Sequence, residues 1–318
     1  MTNHDFAERG IETTHEWIVE RTGIHERRIA AEGTTTAHMA ADAGRAAMAR
    51  AGVQAGELDA IVLSTATADR LLPSTAVDVQ AMLGATRAAA FDLSAACSGW
   101  LYGLTVGEGL ISTGTAETVL VIGAEKMSAI IDWSDRATCV LFGDGAGAAV
   151  LRRSRPTLSA AMRGPKGILS SFMRSDGTLA ELLWRPSGGA TVPYSEAVLS
   201  DRSHFVQMAG REVFKHAVRS MSEAANRALD AAKLTGTDID LMIPHQANVR
   251  IIEATAKHAG VPMDKVYVNV DRYGNTSSAS IGIALDEAIE CGRGKEGSTV
   301  LMVAFGAGLT WASMIVRF

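Results

Sequence analysis

A register that the chain repeats is the feature that most constrains its fold. The apolar run LDAIV at 58–62 returns as IDLMI at 239–243, and TVLVI at 118–122 returns as TVLMV at 299–303. Both pairs are separated by the same 181 residues. The alanine-rich stretches before them keep that offset, with Ala43, Ala47 and Ala51 opposite Ala224, Ala228 and Ala232. Alanine-rich segments look alike by chance, but one register held from Ala43 to Ile122 argues for two related halves. Each half would be a helix–strand–helix–strand unit.

Hydrophobic patterning fills in these halves. Short β-branched runs predict strands at 60–64, 118–123, 146–151, 241–244, 266–270, 299–304 and 313–317. Helical stretches lie between them at 37–51, 74–83, 99–113, 210–232, 249–259 and 278–290. This alternation predicts an α/β architecture with buried sheets. The N-terminal half takes residues 1–152 and the C-terminal half residues 205–318. The span 153–204 carries Gly, Pro and Ser without clear periodicity and reads as an insert of loops and caps over the site.

Composition narrows the function classes. A chain with 47% apolar and 20% charged residues is an ordinary globular mix. A net charge of −5 without a basic block disfavours nucleic acid or an anionic membrane as the main partner. Three cysteines, Cys97, Cys139 and Cys291, make no disulfide framework and fit a reducing cytoplasm. The polar start MTNHDFAERG lacks the apolar core of a signal peptide, and no apolar run approaches the ~20 residues that span a bilayer. The expectation is a soluble cytoplasmic protein.

Three segments could carry chemistry. In DLSAACSGW at 92–100, Cys97 stands at the start of a helix among small residues. The helix dipole and nearby backbone N–H groups there are expected to lower its pKa and yield a nucleophilic thiolate. An inert buried cysteine is the equal alternative on this segment alone. In IPHQANVR at 243–250, His245 follows directly on a strand, at the end where α/β proteins place ligands. It suits activation of a thiol or stabilisation of an oxyanion, and a capping histidine is the bland reading. In YGNTSSAS at 273–280, Asn275 offers an amide N–H₂ at a helix start. The offset of 181 places Cys97 opposite Ser278, so the Cys97 and Asn275 loops occupy equivalent places in the two halves. The glycines of FGDGAGA at 142–148 match no nucleotide fingerprint and read as close packing. FGAGLT at 305–310 can present backbone N–H groups to an oxyanion. No metal-ligand spacing is present.

Together these segments resemble the β-ketoacyl-acyl carrier protein synthase III family of the thiolase-like superfamily. EWIV at 16–19, RTGI at 21–24, the Cys97 segment, FGDGAG at 142–147, PHQAN at 244–248 and GNTS at 274–277 occur in the family's order. The resemblance implies a five-layered αβαβα thiolase-like fold from two pseudo-symmetric halves, usually as a homodimer. It implies acyl transfer from acyl-CoA to Cys97, then decarboxylative condensation with malonyl-acyl carrier protein. His245 and Asn275 would stabilise the enolate, and the backbone N–H groups of Cys97 and Ala307 would form the oxyanion hole. Thr13, Trp17, Arg21, Arg136 and Asn248 match CoA contacts, with Trp17 and Arg136 on either side of the adenine. For Thr13, surface packing is as good a reading. Lys215, Gln246, Ala247, Asn248, Val249, Arg250 and Lys257 match a carrier-protein surface. Leu72, Met127 and Phe142 match the acyl pocket, with Leu72 closing the pocket of the other subunit. The CoA thioester is a substrate, and no cofactor or metal is implied.

The chain also departs from the family pattern. The family's first dozen or more residues, which include a strand, have no match, so the N-terminal sheet is expected to lack one strand. Ala307 stands at a frequent glycine, where a positive φ would be strained. A specialised acyltransferase or ketosynthase of secondary metabolism on the same fold is the main rival. A weakly active or non-catalytic dimer partner is the other. A thiolase would need a second cysteine in a suitable motif, and a hydroxymethylglutaryl-type synthase a general-base glutamate with no matching position.

Overall fold

The computed structural model describes residues 1–153 and 166–318. Its helices that matter for the site are α1 (His15–Thr22), α2 (Thr36–Ala51), α3 (Thr75–Leu83), α4 (Gly99–Ser112), α5 (Gly210–Ala232), α6 (Val249–Ala259) and α7 (Ser280–Glu290). The strands are β1 (Ala60–Ser64), β2 (Ala89–Leu93), β3 (Thr118–Lys126), β4 (Asp144–Arg152), β5 (Gly167–Ser175), β6 (Leu183–Trp184), β7 (Gln207–Met208), β8 (Leu241–Pro244), β9 (Thr299–Gly306) and β10 (Thr310–Arg317).

The period of two along each strand sorts the core into layers. Ile61, Leu63, Leu120 and Ile122 face Ala40 and Met48 of α2 and Val79 of α3. Their neighbours Val62, Val119 and Val121 face inward onto Trp100 and Leu104 of α4. The same inner cluster takes Ile281 and Ala284 of α7 and then Val300, Met302 and Met314 of the second sheet. On the far side Leu301, Val303 and Ile315 pack on Met221 and Ala228 of α5 and Ile252 of α6. Helix, sheet, helix, sheet, helix: this is the five-layered arrangement that the family resemblance implied.

The repeat holds well beyond the apolar runs. β1 pairs parallel with β3, which pairs antiparallel with β4. β8, β9 and β10 repeat that pattern. The helices before β1 and β8 end at Ala51 and Ala232, and both are capped by a left-handed residue, Gly52 and Lys233. The 3₁₀ turns that follow begin at Ala55 and Gly236. α4 and α7 begin at Gly99 and Ser280. Each of these pairs keeps the offset of 181. Both central helices therefore start at one pseudo-symmetric seam. There Gly147 of β4 meets Gly282 of α7 so closely that an added Cβ would stand 2.7 Å from backbone, which is the close packing expected of FGDGAGA.

Three sequence expectations need correction. Part of the span read as loops and caps is a nine-residue strand, since β5 pairs antiparallel along the whole of β10. Its exposed face and edge position leave little apolar signal. The stretch 154–165 of that span lies outside the described residues. The predicted strand at 266–270 makes one bridge, Val266 to Met242, and Val270–Tyr273 is a helical turn. The Gln246 side chain explains why: its Oε1 accepts the N–H groups of Asn269 and Val270, and its Nε2 donates to the Tyr267 carbonyl. A side chain replaces the neighbouring strand. Finally, Ala307 is not among the residues with positive φ; Gly308 takes that conformation, at +135°.

Both sheets have four strands among the described residues, but they are extended on different sides. The second runs β5-β10-β9-β8, and the first β2-β1-β3-β4. β4, the counterpart of β10, is an edge among the described residues, where β10 has β5 beside it.

Candidate active site

The turns that open α4 and α7 meet at the seam, and both are strained in the same way. Ala96, immediately before Cys97, has φ +45°, and its counterpart Ser277 has φ +49°. Neither is a glycine, so each holds a conformation that costs energy unless the surroundings enforce it. A sharp turn between strand and helix is the geometry that lifts a nucleophile out of a sheet. Gly306, at the end of β9, lies so near that a Cβ there would be 2.6 Å from the Cys97 nitrogen. Thr310 Oγ1 donates to the carbonyls of Ala95 and Ala307, and Ser98 Oγ donates to the Thr310 carbonyl. These bonds stitch the turn that carries Ala307 onto the turn that carries Cys97.

His245 leaves β8 with its N–H bonded to the Val303 carbonyl at 2.7 Å. Its Nδ1 lies 2.6 Å from Ser280 Oγ. That hydroxyl also accepts the Gln246 N–H at 3.4 Å, so Ser280 holds both the ring and the backbone just after β8. Burial holds the imidazole neutral by pushing its pKa down to about 3. Asn275 is clamped by its backbone, with its N–H on the Leu141 carbonyl at 2.8 Å and its carbonyl accepting from the Gly143 N–H at 3.0 Å. Its Oδ1 accepts the Ser277 N–H at 2.8 Å, which leaves the N–H₂ as its free donor.

Cys97, His245 and Asn275 line one cavity of ≈ 110 Å³ together with Phe142 and Phe305. Its further wall is Val213 and Phe214 of α5 and Ile251 of α6. The two halves thus supply one thiol and two neutral donors to the same small apolar space. A larger cavity of ≈ 630 Å³ between α4, α7, β4 and β10, lined by Trp100, Leu104, Leu285 and Met314, has neither a cysteine nor a histidine among its described lining residues. Size alone would misplace the site.

One electrostatic expectation fails. Burial pushes the Cys97 thiol up to about 12, and the nearby Glu125 carboxylate pushes in the same direction. The dipole of the helix start does not overcome the loss of water, so the resting group is a neutral thiol. Glu125 itself, which sequence reasoning passed over, is fully buried at the end of β3. A glutamate closing an otherwise apolar strand was the signal that could have found it. Ser277 and Ser280 were hidden among the small residues of a helix start.

The remaining predicted residues separate. Arg21 and Arg136 each stack on Trp17, both with the guanidinium carbon 4.8 Å from the ring centroid. Arg136 therefore fills the space in which an adenine would lie between it and Trp17. Asn248 caps α6, accepting from Arg250 N–H, and donates to the Arg21 carbonyl. Thr13 has a buried hydroxyl with no partner among the described residues. Gln246 is 1% exposed, and its side chain is engaged within the fold rather than at the surface. Ala247 and Val249 are partly buried, and Val249 packs against Gly23. Lys215, Arg250 and Lys257 are exposed. Met127 is buried in the same cluster as Phe142 but is not on the wall of this cavity. Leu72 is 85% exposed and also absent from that wall.

With this geometry, comparison with known proteins is direct. Sequence models of 3-oxoacyl-[acyl-carrier-protein (ACP)] synthase III match residues 91–177, and models of its C-terminal part match residues 229–318. The β-ketoacyl-[acyl-carrier-protein] synthase III of Roseiflexus castenholzii is 50% identical over 318 residues, covering 100% of this chain and 94% of that protein. The crystal structure of the 3-oxoacyl-[acyl-carrier-protein] synthase III of Aquifex aeolicus superposes with a TM-score of 0.90 at 46% identity, covering 100% of this chain and 95% of that one. The priming β-ketosynthase of the R1128 polyketide biosynthetic pathway superposes with a TM-score of 0.89 at 37% identity, covering 99% and 91%.

Proposed function

Since the chain belongs to the 3-oxoacyl-[acyl-carrier-protein] synthase III family of acyltransferases, we propose that it joins a short acyl group, held on Cys97, to malonyl-acyl carrier protein and so starts a fatty acyl chain. The observation that carries this reading is the single cavity lined by Cys97, His245 and Asn275.

The Cys97 sulfur attacks the acyl-CoA carbonyl, and the oxygen that gains charge is met by the N–H groups of Cys97 and Ala307. CoA leaves and the malonyl thioester takes its place. Loss of CO₂ puts negative charge on the thioester oxygen, within reach of donors such as His245 Nε2–H and the Asn275 N–H₂. Both are neutral, so they stabilise that charge without holding a counterion in the empty pocket. The enolate carbon then attacks the acyl-Cys97 carbonyl and frees the thiolate. The CoA thioester is substrate, and these steps use no separate cofactor.

Partners follow from the surfaces. Arg211, Lys215 and Arg219 lie four residues apart on the exposed face of α5, which packs against α6 with its exposed Arg250 and Lys257, and these basic groups suit an acidic carrier protein. Trp17, Arg21 and Arg136 suit CoA once Arg136 swings off the indole. Leu71 and Leu72 are 87% and 85% exposed, and edge strand β2 shows Phe91, which supports a homodimer in which Leu72 closes the partner's acyl pocket. No helix among the described residues is long and apolar enough to cross a membrane. We place the protein in the cytoplasm.

The likeness to the R1128 enzyme favours a second reading, a condensing enzyme that primes a specialised pathway. A panel of acyl-CoA substrates, compared by kcat/KM with malonyl-carrier as acceptor, separates the two. Highest activity with acetyl or a small branched acyl group supports the first, and preference for an unusual starter supports the second. No turnover with any of them refutes both.

A further inference from the structure

The neutral thiol of Cys97 needs a proton acceptor, and the donors already assigned do not supply one. His245 spends Nδ1 on Ser280, and its role as an enolate donor requires the proton on Nε2. Asn275 has no basic atom free. A third group stands on the other side of the sulfur. Cys97 Sγ donates to Ser277 Oγ at 3.5 Å, and Ser277 Oγ donates to Glu125 Oε1 at 3.0 Å. We propose that Ser277 and Glu125 form a proton relay for Cys97, in which the thiol proton passes to Ser277 Oγ while the Ser277 proton passes to Glu125 Oε1. The proposal rests on Cys97 being the nucleophile.

The surroundings favour such a role. Glu125 is fully buried, and its carboxylate also accepts from Ser278 Oγ at 2.9 Å, Thr67 Oγ1 at 2.7 Å, Thr65 Oγ1 at 3.4 Å and the Ala66 N–H at 3.0 Å. Those neutral donors let an anion exist without water, and no cation among the described residues pairs with it. Lys126, next on β3, sends its ammonium to the Thr34 carbonyl. Cys97 is the titratable neighbour that faces the carboxylate, and burial raises the affinity of Glu125 for a proton. The strained φ of Ser277 puts its hydroxyl between the two. The C-half counterpart of Glu125 is Gly306, so only one half supplies the acid.

The proton balance closes. As Cys97 gives up its proton, sulfur forms the bond to the acyl carbon, the thioester bond to CoA breaks, and CoA thiolate takes a proton from solvent. Ser277 now donates to sulfur where it had accepted, and the proton rests on Glu125 throughout the acyl-enzyme stage. When condensation releases the Cys97 thiolate, the proton returns through Ser277.

The test is the pre-steady-state rate of Cys97 acylation by acetyl-CoA across pH in the full chain, in Glu125→Gln and in Ser277→Gly. Glycine removes the hydroxyl and suits a positive φ, so it decides the matter alone should the glutamine variant not fold. Both variants should acylate at least about 100-fold more slowly at pH 7. Their rates should climb with the thiol's own ionisation, without the lower inflection of the wild type. A wild-type rate and profile in either variant overturns the relay, as does slow acylation that keeps the wild-type inflection. No label on Cys97 in the wild type would instead defeat the nucleophile reading on which the relay rests.

Discussion

Ser280 Oγ lies 2.6 Å from His245 Nδ1, so the first residue of α7 anchors the ring of a histidine at the end of β8. Ser280→Ala removes that constraint and leaves Nδ1 free to take the proton. Condensation with malonyl-carrier should fall about 10- to 100-fold, while acylation of Cys97 stays near its normal rate. Separate burst and steady-state measurements check the split. Equal loss in both steps would show that Ser280 serves folding instead.

The pH dependence follows from the same histidine. Its ordinary pKa of 6.5 falls to about 3 in the folded protein because the buried ring cannot carry charge. Between those values the unfolded chain binds a proton that the folded chain refuses, so stability rises with pH across that window and is lost as pH falls through it. Tm of the wild type should therefore drop more steeply from pH 6.5 to pH 4 than that of His245→Asn, by circular dichroism. Parallel curves would contradict a neutral buried ring.

Trp17 and Arg136 give a prediction about binding without chemistry. Trp17→Ala removes the indole on which two guanidinium groups stack. A stacking contact of this kind contributes about 0.5–2 kcal/mol. KM for acyl-CoA should rise roughly 2- to 30-fold with kcat little changed, as steady-state kinetics would report. An unchanged KM would remove this surface from the CoA site.

Gly306 tests the join between the two turns. A Cβ there would stand 2.6 Å from the Cys97 nitrogen, closer than packed atoms approach. Gly306→Ala should displace Cys97 or destabilise the protein by about 1–3 kcal/mol. Either lowers Tm or slows acylation. A variant normal in both would mean that the turns are not in contact.

Much of this was legible because the chemistry sits where the repeat breaks its own pattern. Strand ends and helix starts exposed Cys97, His245 and Asn275, and the common offset said which loops would meet. The register did not say what else the seam contains. Ser277, Ser280 and Glu125 are ordinary residues until burial and distance connect them. β5 stayed hidden because an edge strand with one open face needs little apolar pattern, and 266–270 misled because Gln246 satisfies a backbone that looks like a strand. Gln246 shows the same limit in reverse: it sits inside a recognisable motif, yet it is buried and its side chain is spent on holding the fold. The Cys97 thiol was misjudged because a helix start is visible in sequence and desolvation is not.

The central claim is that Cys97 carries the acyl group between two substrates. Incubation with [¹⁴C]acetyl-CoA, peptide mapping, and a chase with malonyl-acyl carrier protein test it most directly. The account predicts label on the peptide containing Cys97, discharged by the chase as acetoacetyl-carrier with release of CO₂. No label on that peptide, or label that malonyl-carrier leaves in place, would contradict it.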